Sequence, residues 1–306
     1  MNLSVLLAWF DGSTGREAAG ERLDWLRAGP FLAIHALCGL AWYTGVSPTA
    51  IAVAVGLYLV RMFAITAFYH RYFSHRAFKT SRAFQFLMAL LGNSAVQRGP
   101  IWWAAHHRHH HRHSDRPEDL HSPVQYGFWQ SHVRWFLTGR GFATQSQYVT
   151  DLLAYPELRW LDRFDWVGPV ALLAALAASG AALQTWAPDL GTSAAQLVVW
   201  GFAISTVATW HVTYTINSLS HQWGTRRYQT NDDSRNNWLL ALLTLGEGWH
   251  NNHHHHQSSA RQGFFWWEID LAYYGLRLLA ALRLVWDLRP VPAHVLLKNR
   301  SEVPAA

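Results

Sequence analysis

Trp102–Asp119 reads WWAAHHRHHHRHSDRPED. Within it six histidines, His106, His107, His109, His110, His111 and His113, fill eight positions. Residues three and four apart share a helix face, so an H-x-x-H-H run turns three imidazoles toward one metal or across two. Neutral imidazole suits iron, zinc, copper and nickel. A solvated basic run would have the same local composition. The pattern recurs, however, at His250, His253 and His254 (HNNHH), and a looser pair, His70 and His75 (HRYFSH), precedes both. Three separated clusters with this spacing point to one metal centre. In the opening stretch two registers satisfy the pattern, His106/His109/His110 and His107/His110/His111.

Five residues apart on a continuous α-helix, His70 and His75 would stand about 140° from one another. They suit two metals, or a helix that ends between them. Asn217 and His221 (NSLSH) are four apart and share a face.

Around these clusters the chain is apolar. Charge-free or nearly charge-free runs cover about 30–46, 51–69, 166–186 and 197–216, each near the ~20 residues that cross a bilayer. They predict an all-α integral membrane protein with four transmembrane helices in two hairpins. A His-rich helical cap, formed by 70–165 and 217–288, completes a single domain over 29–288. Residues 1–28 read as an arm with no signal-peptide pattern, and 289–306 as a poorly ordered tail. Phe84–Ala95 and 264–288 suggest interfacial helices. Eighteen tryptophans suit membrane–water boundaries, and a mean hydropathy near zero fits a membrane domain with a large polar side. Arg61 is costly in lipid and calls for a protein partner, and His211 reads as a satisfied core histidine.

Of the 25 Lys and Arg, twelve fall in 70–163 and nine in 218–306, with none in the connections near 45–49 and 188–194. By the positive-inside tendency both termini and all the histidine clusters face the cytoplasm, which suggests a bacterial inner membrane. The single cysteine, Cys38, reads as a small buried hydrophobe. It excludes an intrachain disulfide and a four-cysteine iron–sulfur site, so electrons would come from another protein. The net charge of +6 is not arranged in any nucleic-acid-binding motif.

The chain resembles the membrane fatty-acyl desaturases of the stearoyl-CoA desaturase type. The matching motifs are HR-x-x-SHR at His70–Arg76, W-x-x-x-HR-x-HH followed by SD at Trp103–Asp115, NS-x-x-H at Asn217–His221 and EG-x-HN-x-HH at Glu247–His254. Placing Arg108 where the family has its arginine selects His107, His110 and His111. The resemblance implies two irons held by His70, His75, His107, His110, His111, His221, His250, His253 and His254, with Asn217 reaching a metal through water. It also implies a bent acyl tunnel flanked by Trp103 and Thr213, for which ordinary core packing is the alternative. His106, His109, His113, His255 and His256 depart from the family pattern.

Unactivated C–H bonds resist acids, bases and nucleophiles, and their oxidation needs a redox metal and dioxygen, which zinc cannot supply. The expected reaction is O₂-dependent removal of two vicinal hydrogens, giving a cis double bond, by resemblance Δ9, in an acyl chain on CoA or a lipid. A ferredoxin, rubredoxin or b-type cytochrome would donate two electrons. A membrane di-iron fatty-acid or alkane hydroxylase shares such boxes, and a non-enzymatic membrane metal-binding protein is a reading from another class. Arg71, Arg76, Arg98 and Arg235 are open to contact with substrate phosphates. The motifs leave open the acyl carrier (CoA, phospholipid or acyl carrier protein), the chain length and the donor.

Overall fold

A computed structural model describes residues 10–12, 20 and 22–297. Most of the expected arm and the end of the expected tail lie outside the described residues. The fold is mostly helical. Among the described residues three helices are long and apolar enough to cross a membrane: α2 (Pro48–Ser74), α7 (Val167–Trp186) and α8 (Ala194–Ser218). Between them lie the shorter α3 (Arg82–Asn93), α4 (Pro100–His113), α5 (Pro123–His132) and α6 (Pro156–Arg163). After α8 come α9 (Trp238–Leu243), α10 (His250–His255) and α11 (Leu271–Ala281).

The first expected span, 30–46, takes a different form. Helix α1 (Trp25–Cys38) starts earlier and stops at Gly39 and Leu40, whose N–H groups bond three residues back to Ala36 and Leu37. That tighter bonding breaks the helix, and a single turn, Ala41–Thr44, follows. Cys38 is half-buried there rather than buried.

Helix α2 starts where Ser47 accepts a hydrogen bond from the Ala50 N–H at 3.1 Å and Pro48 occupies the first turn, a good N-terminus because proline lacks the N–H that would go unpaired. From Ala64 to Ser74 it widens into a π-helix, a form often found at functional sites. Arg61 is fully buried. Its guanidinium donates to Thr206 Oγ1 at 2.7 Å, the Ser94 carbonyl at 3.2 Å and Ser205 Oγ, tying α2 to α8.

The π segment packs against α3 and α4 around a core that includes Phe68, Tyr69, Phe73, Ile101, Leu158 and Leu161. Burying side chains of this size stabilises by roughly 1.5–3 kcal/mol each. Helix α4 begins at Gly99–Pro100, and its cap comes from another helix: Asp162 of α6 accepts the Trp102 N–H at 2.8 Å. A Cβ on Gly99 would stand 2.4 Å from Asp162 Oδ1, so only glycine permits this approach.

The interfacial segment expected at 264–288 is helical only over Leu271–Ala281. Asp270 caps it by accepting from Tyr273 N at 3.0 Å. Val285–Trp286 pairs instead with Lys79–Thr80 in an antiparallel two-stranded ribbon, a small β element in an otherwise helical fold.

Candidate metal centre

Histidines near the C-terminal ends of α2 and α8 gather with those of α4 and α10 into two clusters. His70, His75, His107, His111 and His253 form the first, and His110, His221, His250 and His254 the second, with the ligating atoms of each group within 4.8 Å of one another. The nine histidines implied by the resemblance are therefore brought together, five and four, in the register of His107. His106, His109, His113, His255 and His256 stay outside both clusters. His106 faces the Ala143 carbonyl, and His255 stacks on Tyr228.

His70 and His75 converge on one cluster because the helix ends at Ser74, between them, and the π-helix bonds His75 N–H to His70 O at 3.3 Å. Arg108 holds this end in place, donating to the carbonyls of Phe73 and Ser74 at 2.6 and 2.8 Å and to Asp151. In α10, Asn251 accepts from the backbone N–H groups of Arg227 and Tyr228, and Asn252 donates to Gln262 O and Glu268 Oε2. These bonds fix the turn that presents His250, His253 and His254.

Inside the first cluster, His253 Nε2 lies 2.9 Å from both His70 Nε2 and His111 Nε2, and His75 Nε2 lies 2.8 Å from His107 Nε2. One proton on His253 Nε2 satisfies only one of its two neighbours. A metal–nitrogen bond of about 2.1 Å places ligands at right angles ~3.0 Å apart, which matches these separations. In the second cluster, His110, His221 and His254 each turn Nδ1 to a carboxylate: Asp119 at 2.8 Å, Asp115 at 2.8 Å and Asp232 at 2.7 Å. With the proton held on Nδ1, the Nε2 lone pairs face inward. His221 Nε2 lies 3.0 Å from His250 Nε2, while His254 Nε2 is buried with no hydrogen-bond partner. Converging lone pairs repel unless a cation lies between them, so the donor set fits a pair of metals.

Burial, helped by neighbouring imidazoles and arginines, holds five of these rings neutral. It lowers His75 to about 3, with His254 and Arg108 adding, and drives His107, His111, His250 and His253 well below the usual range. Burial also pulls on His110, but the charge and hydrogen bond of Asp119 outweigh it and leave that ring raised.

The carboxylates Asp119 and Asp232 and the amide of Gln262, which faces His70 and His253 Nδ1 at 3.3 Å, went unread in the sequence. Their distance along the chain hides them, although Asp119 closes the opening stretch. His211 meets His35 and His132, each at 3.0 Å, as a satisfied core histidine would. The four arginines left open for substrate phosphates each have a partner within the fold. Arg71 pairs with Asp270, Arg76 with Asp151 and Arg98 with Asp165, and Arg235 bonds the Gly224 carbonyl.

A cavity of about 410 Å³ runs up to His107 and Asn217, lined largely by apolar side chains including Trp103, Phe136 and Trp210. Trp103 and Thr213 both line it, joined by a residue the sequence did not single out: Gln97 accepts from Trp103 Nε1 at 3.4 Å and donates to Thr213 Oγ1 at 3.2 Å.

The family model for fatty acid desaturases matches residues 47–289. This chain belongs to the fatty acid desaturase family. The desaturase is 37% identical over 277 residues to delta-9 acyl-lipid desaturase 1 of Arabidopsis thaliana, covering 89% of this chain and 86% of that one. It is 37% identical to an acyl-CoA 5-desaturase of Anemone leveillei, covering 86% and 78%. It is 34% identical to an sn-2 palmitoyl-lipid 9-desaturase of Nostoc sp. (strain 36), covering 86% and 89%. The desaturase is thus an oxidoreductase of acyl chains, and its three long apolar helices fit a membrane protein.

Proposed function

We propose that this desaturase uses two irons and O₂ to place a cis double bond, at Δ9, in a saturated acyl chain carried on CoA or a lipid. The observation that carries the reading is the pair of buried imidazole clusters at the end of an apolar cavity. His70, His75, His107, His111 and His253 would hold one iron. His110, His221, His250 and His254 would hold the other, with Asn217 reaching a metal through water. When bound, the irons supply the dioxygen activation that C–H removal requires, with two electrons from a ferredoxin, rubredoxin or b-type cytochrome.

The chain's own residues do the rest. Asp115, Asp119 and Asp232 keep the Nδ1 protons and so aim Nε2 inward, as carboxylates behind metal-bound histidines do. The apolar cavity excludes water, and Trp103, Gln97 and Thr213 fix where the acyl chain lies. Helix α1 with the Ala41–Thr44 turn would serve as a fourth crossing, leaving both termini and the clusters on the cytoplasmic face of a bacterial inner membrane.

Chromatography of fatty acids from cells with and without the protein, a donor supplied, tests the reading together with iron quantitation on the purified chain. Monoenes with the double bond at Δ9 and two irons per chain are expected. Hydroxy acids without alkene would reject it.

A further inference from the structure

The cavity has an outer end as well as a metal end. Among its described lining residues only Phe10, Pro30 and Val170 are exposed, Phe10 at 50% and Val170 at 48%. The side chains around His107 at the other end are buried or half-buried. The wall is therefore open where α1 and α7 begin. Both helices are apolar and uncovered there: Leu32 is 51% exposed, and α7 leaves most of its apolar surface without protein cover. Apolar surface of this kind is unfavourable against water and at home against hydrocarbon.

The rim is polar. Arg98 pairs with Asp165 at 2.6 Å, and Trp166 Nε1 donates to the Phe10 carbonyl at 2.9 Å. Tryptophan beside charged groups marks headgroup depth. An apolar slot with a polar upper lip matches a lipid whose ester stays at the interface while its chain turns sideways into the protein.

The geometry points to a lateral portal between α1 and α7 that draws the acyl chain from the surrounding leaflet, so that the substrate is an acyl group esterified in a membrane glycerolipid. This rests on the desaturase reading above. A CoA head group carries several phosphate charges, and the exposed lining residues at this opening, Phe10, Pro30 and Val170, offer it none to pair with. Val170 and Pro30, on opposite lips, then control access without touching the imidazole clusters.

The test uses the full chain, loaded with iron, in vesicles of distearoyl phosphatidylcholine carrying deuterated stearoyl chains, with a ferredoxin, its reductase and NADPH. Stearoyl-CoA is offered separately in unlabelled vesicles of a polyunsaturated lipid. The labelled lipid should be desaturated at least about tenfold faster than the CoA ester. Val170→Trp should remove most lipid turnover while iron content and thermal midpoint stay those of the parent. If that variant misfolds, Pro30→Trp tests the same opening from the other lip. Preference for stearoyl-CoA, unaffected by a narrowed portal, would overturn the proposal and leave the desaturase reading intact. So would a Val170→Trp enzyme that only shortens the longest chain accepted, since the opening would then house the methyl end. No alkene from either substrate with iron bound would overturn both.

Discussion

His70 Nε2 and His253 Nε2 lie 2.9 Å apart although 183 positions separate them in the chain. The pair joins the end of α2 to α10, and His111 completes the contact at 2.9 Å from His253. His253→Ala should therefore release iron from the first cluster and lower desaturation by more than about 100-fold, since loss of a directly bound ligand outweighs the 10–100-fold cost of losing an outer partner. Iron per chain and alkene yield measure both effects. Full iron content with full activity would contradict the assignment.

Asp232 holds His254 Nδ1 at 2.7 Å. Asp232→Asn keeps an acceptor in place but removes its charge. Iron affinity should fall by roughly 10–100-fold while the helical circular dichroism spectrum is unchanged. Competition with a calibrated chelator gives the number.

Asp162 offers a test with a definite sign. Burial, opposed by Arg98, lifts its carboxyl to about 6, above its ordinary ~3.9. The folded state thus binds a proton that the unfolded state has released. Stability from this group is complete below about pH 4 and is lost as pH rises through 6. Asp162→Asn still accepts the Trp102 N–H and should flatten that pH dependence. Above pH 6 it should gain about 1–3 kcal/mol, the upper end being the free energy of keeping that proton from about pH 4 up to about pH 6. Unfolding midpoints between pH 4 and 8 decide it, and a variant with the parent's slope would show that the carboxyl is not responsible.

Gln97 couples Trp103 to Thr213 beside His107. Gln97→Leu removes both hydrogen bonds at nearly constant volume, leaving the Trp103 N–H without its acceptor at a cost of about 1–3 kcal/mol. The acyl chain should lose its fixed register. Iron content should hold, turnover should fall, and the double bond should spread over neighbouring positions in product mass spectra. A single unchanged positional isomer would place the register elsewhere.

Arg61 distinguishes a buried charge from the space it fills. Arg61→Ala leaves a cavity and strips Ser205 and Thr206 of their donor, and should cost about 3–5 kcal/mol. Arg61→Met refills the volume, and the two hydroxyls can turn to carbonyls of their own helix, so the loss should be markedly smaller. Thermal midpoints in one detergent compare the two. Equal losses would mean that the charge itself holds α2 against α8.

The sequence carried the imidazole clusters legibly because helical spacing is local: three and four residues set a face whatever lies beyond. Apolar length did the same for α7 and α8. The break at Gly39 and Leu40 was hidden, since the apolar run passes through it without interruption. So was the π-helix, whose sequence AITAFYHRYFS holds no glycine or proline to mark a change of pitch. Which carboxylate stands behind which histidine was hidden for another reason. Asp115 reaches His221 across 106 positions and Asp232 reaches His254 across 22, so no short window contains the pair.

The widened turn from Ala64 to Ser74 has a consequence for how this chain can change. Deleting one residue between Ala64 and His70 would turn the His70 ring by roughly a quarter-turn, somewhat less than the ~100° per residue of an α-helix, and away from the cluster it now joins. Substitutions there alter shape by an atom or two, whereas a change in residue count resets the direction of everything after it. Length is the property that stretch must keep, and variants accumulated under selection for activity should differ there in spelling but not in number.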